Sequence, residues 1–153
     1  NDERAIFFAR GVLETVKKLR WTPTVVHCHG WFSGVVPVYL KHVFADDPIF
    51  RDVKIVVSLC DDAFPGELDP AFAQKIAGEG VEDKNLEILS APSYENLCRF
   101  VMEYADGVAV ASEKADPAVL EIARASGKPV LEYQSPEAED FFDNYNRFYE
   151  AIQ

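Results

Sequence analysis

Val53 to Leu59 reads Val-Lys-Ile-Val-Val-Ser-Leu, an almost unbroken apolar run. A strand wetted on one face alternates apolar with polar residues, whereas a run of this kind is buried on both faces, as in a parallel sheet. Parallel strands cannot be joined by tight turns. Each pair needs a crossover of a dozen or more residues, usually a helix. The sequence before this strand already has that layout. Asp2 to Leu19 places Ile6, Phe7, Ala9, Val12, Leu13, Val16 and Leu19 at three- and four-residue steps, the period of an amphipathic helix. Asp2 is its expected cap, and Lys17, Lys18 and Arg20 suit the negative end of its dipole. Trp21-Thr22-Pro23 breaks the helix, and Thr24 to Cys28 forms the first strand.

The alternation continues to the end of the chain. A mostly apolar helix is expected from about Phe32 to Phe44, with Pro37 in its first turns, where a missing N–H costs least. Asp46-Asp47-Pro48 is a loop, and Asp61 to Asp69 is an irregular loop at the carboxyl end of the Val53–Leu59 strand. Pro70 to Ala77 reads as a helix capped by Asp69, followed by a loop over Gly78 to Asn85. Ser93 to Tyr104 is a helix, Gly107 to Ala111 a strand, Pro117 to Ser126 a helix and Pro129 to Tyr133 a short strand. A last helix is expected from Ser135-Pro136 nearly to Gln153, packing through Phe141, Phe142, Tyr145, Phe148, Tyr149 and Ile152. The fold expected is one α/β domain over residues 1–153, a Rossmann-like parallel sheet of about four strands between helices.

Charge and cysteine content narrow the partners. The formal charge of −11 argues against nucleic acid, which requires clustered Lys and Arg. Much of the excess lies in Glu132, Glu137, Glu139, Asp140 and Asp143, most simply a solvated face. Three cysteines without close pairing suit a reducing cytoplasm better than a disulfide framework. No apolar run has the length of a membrane span, and no signal-peptide pattern opens the chain. The sequence opens directly in helical residues without Met, as a piece of a longer protein does.

Ligands of open α/β sheets bind beyond the carboxyl ends of the strands, so His27-Cys28-His29-Gly30-Trp31-Phe32 occupies a privileged place. His27 and His29 share one face of the first strand and Cys28 takes the other. With Cys60 and Asp61 the two histidines make a conceivable zinc set, but neither half has a tight ligand spacing and no metal is expected. A Cys60–His pair invites the reading of a cysteine- or metal-dependent hydrolase, against which stands the plainer role of a small buried hydrophobe. Neither Gly-x-Gly-x-x-Gly nor a P-loop occurs, and no cofactor is expected. Gly30 and Gly34 flank a helix start, a weak anion-site signal. Trp31 is placed to stack on a sugar ring, with ordinary core packing as the competing role.

Four segments resemble the starch/glycogen synthase family in order and spacing. Asn1 to Leu19 resembles its N-x-x-R-F helix, and His27 to Phe32 its H-A-H-D-W-H signature. Val57 to Gly66 lies where the family has T-V-H-N-L-A-Y-Q-G, and Tyr104 to Ser112 resembles Y-A-D-x-I-x-x-V-S. The resemblance implies the N-terminal half of a two-domain GT-B glycosyltransferase, the half that holds the α-1,4-glucan acceptor. It implies that ADP-glucose is held mainly by a second domain, and that transfer retains the anomeric configuration. The two family positions at the reacting centre are Gly30 and Cys60 here, and the neighbouring Asn is Asp61, so no catalytic residue is assigned. The family's Lys-x-Gly-Gly-Leu loop does not occur in this chain. The implied sugar-binding set is His27, His29, Gly30, Trp31, Cys60, Asp61 and Phe64, and the partners it leaves open are an α-glucan or other carbohydrate and a separate donor-binding protein. The alternative is a degenerate scaffold or regulatory domain with no sugar site, which Gly30, Cys60 and the acidic C-terminal helix favour.

Overall fold

Four strands, β1 (Val25–His29), β2 (Lys54–Leu59), β3 (Gly107–Val110) and β4 (Val130–Leu131), pair in parallel in that spatial order. The structure is a computed structural model that describes residues 1–153. His27 lies beside Val56, His29 beside Ser58, and Ser58 beside Ala109. Because side chains alternate along a strand, this register assigns Val25, His27, His29, Val56, Ser58 and Ala109 to one face. Cys28, Ile55, Val57, Leu59, Val108 and Val110 take the other.

The second face carries the main core. α2 (Val35–His42), α4 (Tyr94–Met102) and α5 (Pro117–Ala125) connect the strands there, while α1 (Asp2–Lys18) and α3 (Phe72–Gly78) pack outside α2 and the segment after α3. Ile55, Val56 and Val108 are wholly buried, as the unbroken apolar runs require. The histidine-bearing face is covered differently. Only α6 (Phe141–Ile152) packs on it, with Phe148 and Ile152 seated on Val56 and Ala109. Two buried anchors of this kind contribute about 3–6 kcal/mol together, and they are the only buried residues of α6.

The expected elements are present with several changed boundaries. Gly30 takes φ +75° and starts a 3-10 turn, Trp31–Ser33, so α2 begins only at Val35. Asp69 accepts the Ala71 N–H at 2.9 Å in a turn, and α3 begins at Phe72 rather than Pro70. A 3-10 segment, Lys84–Ser90, capped by Asp83 on the Asn85 N–H, follows where only a loop over Gly78 to Asn85 was expected. β4 is two residues long instead of five: Lys128 and Glu132 on either side of it are drawn to the backbone after α4 and to Arg124. α6 starts at Phe141, not Ser135. Residues 135–140 hold Pro136 and three carboxylates but no apolar stripe to pack, and the helix begins where the stripe begins.

Candidate functional site

The site is set by how β1 ends. The Gly30 N–H donates to the Ser58 carbonyl at 3.2 Å, and the chain then turns sharply through the positive φ that glycine tolerates. The next N–H, of Trp31, donates to Asp62 Oδ2 at 2.8 Å, while Asp62 Oδ1 accepts the Tyr94 hydroxyl at 2.7 Å. A Cβ at position 30 would stand 2.5 Å from Asp62 Oδ2 and 4.0 Å from Cys60 Sγ. Asp62 therefore occupies the space a side chain at Gly30 would need, and brings a carboxylate to the carboxyl edge from the loop after β2. Sequence reasoning passed over Asp62 in favour of Asp61, which is exposed and makes no side-chain hydrogen bond. The available signal was the pairing of an acidic dipeptide with a glycine that ends the neighbouring strand.

On the α6 face, His27 is fully engaged. Nδ1 lies 2.6 Å from the Tyr149 hydroxyl and Nε2 lies 2.5 Å from Ser58 Oγ. Burial, and then the charge of His29, depress its pKa to about 4, so the ring is neutral at physiological pH. One ring nitrogen then donates and the other accepts, roles that the two hydroxyls complement in either tautomer. His29 stacks on it with centroids 4.1 Å apart and reaches solvent. Burial pushes the Tyr145 hydroxyl up, and the nearby Cys60 thiol adds to the shift. The Cys60 thiol is itself raised, first by burial and then by Asp62, with the Gly30 N–H opposing. Cys28 and Cys98 are pushed up to about 12 by burial. All three are thiols at neutral pH, which removes the thiolate that a Cys–His hydrolase needs.

Trp31 lies on the opposite side. Its ring meets Phe64 edge-on at 5.1 Å and Phe32 at 5.7 Å, and Phe64 meets Tyr94 at 5.6 Å. It is half-buried, with one part in packing and one part at the rim. The residues marked out by sequence thus gather at one end of the sheet in two groups: His27, His29 and Cys60 toward α6, and Trp31 and Phe64 toward α4. Gly30 lies between them, and Asp61 stays in solvent. No three His, Cys, Asp or Glu side chains converge as a metal-binding group, and both ring nitrogens of His27 are already committed, so the zinc set is not assembled. A cavity of about 320 Å³ opens between α6 and the carboxyl ends of β1 and β3.

The family described as the starch synthase catalytic domain matches residues 1–128. A glycogen synthase of Chlorobium limicola is 42% identical over 81 residues, covering 53% of this chain and 17% of that protein. The glycogen synthase of Chlorobium phaeobacteroides is 30% identical over 122 residues, covering 74% of this chain and 25% of its own. That of Clostridium perfringens is 32% identical over 114 residues, covering 72% and 23%. The chain therefore spans a quarter or less of the length of these relatives. No solved structure matches it. No helix is long and apolar enough to cross a membrane.

Proposed function

The chain belongs to the starch/glycogen synthase family, and we propose that it is an acceptor-side module of a glycosyltransferase, holding an α-1,4-glucan at the carboxyl edge of its sheet. The observation that carries this reading is that the residues matched to the family include His27, His29 and Trp31, which stand on the two sides of the carboxyl edge where open α/β sheets bind ligands. The family reaction moves a glucosyl unit from ADP-glucose to a glucan hydroxyl. The bond from C1 to the diphosphate oxygen breaks, a bond from C1 to the acceptor oxygen forms, and the hydroxyl proton is released. The departing diphosphate calls for concentrated positive charge. Neither the α6 cavity nor the gap behind Trp31 is lined by Lys or Arg, and the chain carries −11 overall. Donor binding accordingly falls to another domain or partner protein, and this chain alone does not transfer glucose. The three free cysteines suit a reducing, cytoplasmic setting.

Trp31 and Trp21 are the two tryptophans, so a Trp21→Phe protein reports from Trp31 alone. Maltoheptaose is expected to change its fluorescence saturably, and His29→Ala, an exposed change, to weaken that response about tenfold, as loss of one hydrogen bond does. A folded protein that binds no maltoheptaose, by this fluorescence or by calorimetry, rejects the reading.

A second reading, the scaffold, draws on α1. Phe7 and Phe8 are 80% and 42% exposed, and with Val12 and Phe32 they line an open apolar groove. Stable association with another protein together with silence toward glucans would favour it.

A further inference from the structure

Resting on the glucan reading above, we propose that the cleft beneath α6 is a subsite for one neutral pyranose unit. Its polar contacts are His29 of β1 and Tyr145 and Asn146 of α6, and Phe142 is its stacking face. The cleft, about 320 Å³, is at the small end of the range of ligand pockets. Ten residues line it and none is Lys, Arg, Asp or Glu. In a chain with 41 charged side chains, 15 basic and 26 acidic, a lining without Lys, Arg, Asp or Glu offers phosphates and metal cations little and suits a neutral ligand.

The hydrogen-bonding groups of the cleft divide into committed and free. His27 and Tyr149 bond one another, and His27 also holds Ser58. Gln134 donates to the Glu132 carbonyl at 2.9 Å and accepts from Asn144 at 2.7 Å. The side chains of His29, Tyr145 and Asn146 spend no hydrogen bond within the chain, yet all three face this one space. Phe142 is 74% exposed beside them, although a helix that only packed would turn such a ring inward. A ring with one apolar C–H face and several hydroxyls matches both halves of that lining: the aromatic takes the face, and the imidazole, phenol and amide take the hydroxyls. Tyr145, Asn146 and Phe142 lie beyond the family-matched residues 1–128. The subsite thus joins His29, within the family-matched residues, to an α6 wall that lies outside them.

The test is an NMR titration of the whole chain with maltotriose, in wild type, Tyr145→Phe and Asn146→Ala. Asn146 is exposed and Tyr145→Phe keeps the ring, so both variants are expected to melt like the wild type. Maltotriose should shift the Asn146 amide and Phe142 ring resonances, with affinity about tenfold lower in Asn146→Ala and several-fold lower in Tyr145→Phe. Wild-type affinity in both variants, with shifts confined to Trp31 and Phe64, overturns the subsite and leaves the glucan reading standing. Binding of inorganic phosphate in the cleft also overturns it. If the folded wild type binds neither maltotriose nor maltoheptaose, the glucan reading falls, and the subsite with it.

Discussion

A side chain at position 30 would have to adopt φ near +75° and would meet the Asp62 carboxylate 2.5 Å from its Cβ. Asp62 cannot simply swing away, because the Trp31 N–H and the Tyr94 hydroxyl hold both its oxygens. Gly30→Ala is expected to cost about 1–3 kcal/mol in urea denaturation. Gly30→Asp, which restores the residue type that the family resemblance implies, should cost more, because two carboxylates would then share one space. His27 sets a pH dependence. Above pH 6.5 it is neutral folded and unfolded; between 6.5 and about 4 only the unfolded chain takes up its proton, so its share of stability is lost across that interval and no further below it. After allowance for partial exposure the loss is roughly 1–2 kcal/mol, and His27→Gln should flatten this part of the stability–pH curve. An unchanged slope would mean that the ring is not held neutral. At this scale the sequence showed that the two histidines share a face and Cys28 does not. The Asp62 anchor was hidden because it depends on the path of a loop, which no periodicity encodes.

α6 is the element that makes the histidine face a cleft instead of an open sheet. It rests on Phe148 and Ile152, and both touch Gly107: a Cβ there would lie 2.8 Å from Phe148 Cζ and 3.2 Å from Ile152 Cγ2. Gly107→Ala should therefore lift α6, lower stability by about 1–3 kcal/mol through overpacking, and release the Tyr149 contact on His27. The His27 pKa, followed by NMR, should then climb from about 4 toward 6.5, whereas a helix that stays seated would leave it in place. The strands and α1 were legible from their apolar periods, although Asn1 rather than the expected Asp2 is the α1 cap residue; α4 and α5 carry side-chain caps besides, Ser93 on Asn96 and Asp116 on Ala118. Ser135-Pro136 has the pattern of a helix opening. Proline after serine also opens turns, and here the turn prevails because the residues that follow have nothing to pack against.

The whole molecule is asymmetric: one sheet face is deeply packed, and the other is shielded by a single helix over a neutral, aromatic cleft. Its α/β class followed from the alternation of buried strands and crossover helices. The division of the marked residues between two faces did not follow, since it requires the register of β1 against β2 and the position of α6. The charge of −11 and the absence of Lys and Arg from the two cavities at the carboxyl edge are the observations that support the acceptor-side reading proposed above. The most direct measurement is a pair of calorimetric titrations on one folded sample, first with maltoheptaose and then with ADP-glucose. Saturable heat with the glucan and none with the nucleotide sugar is expected of an acceptor-side module. Binding of ADP-glucose, or silence toward the glucan, would contradict it.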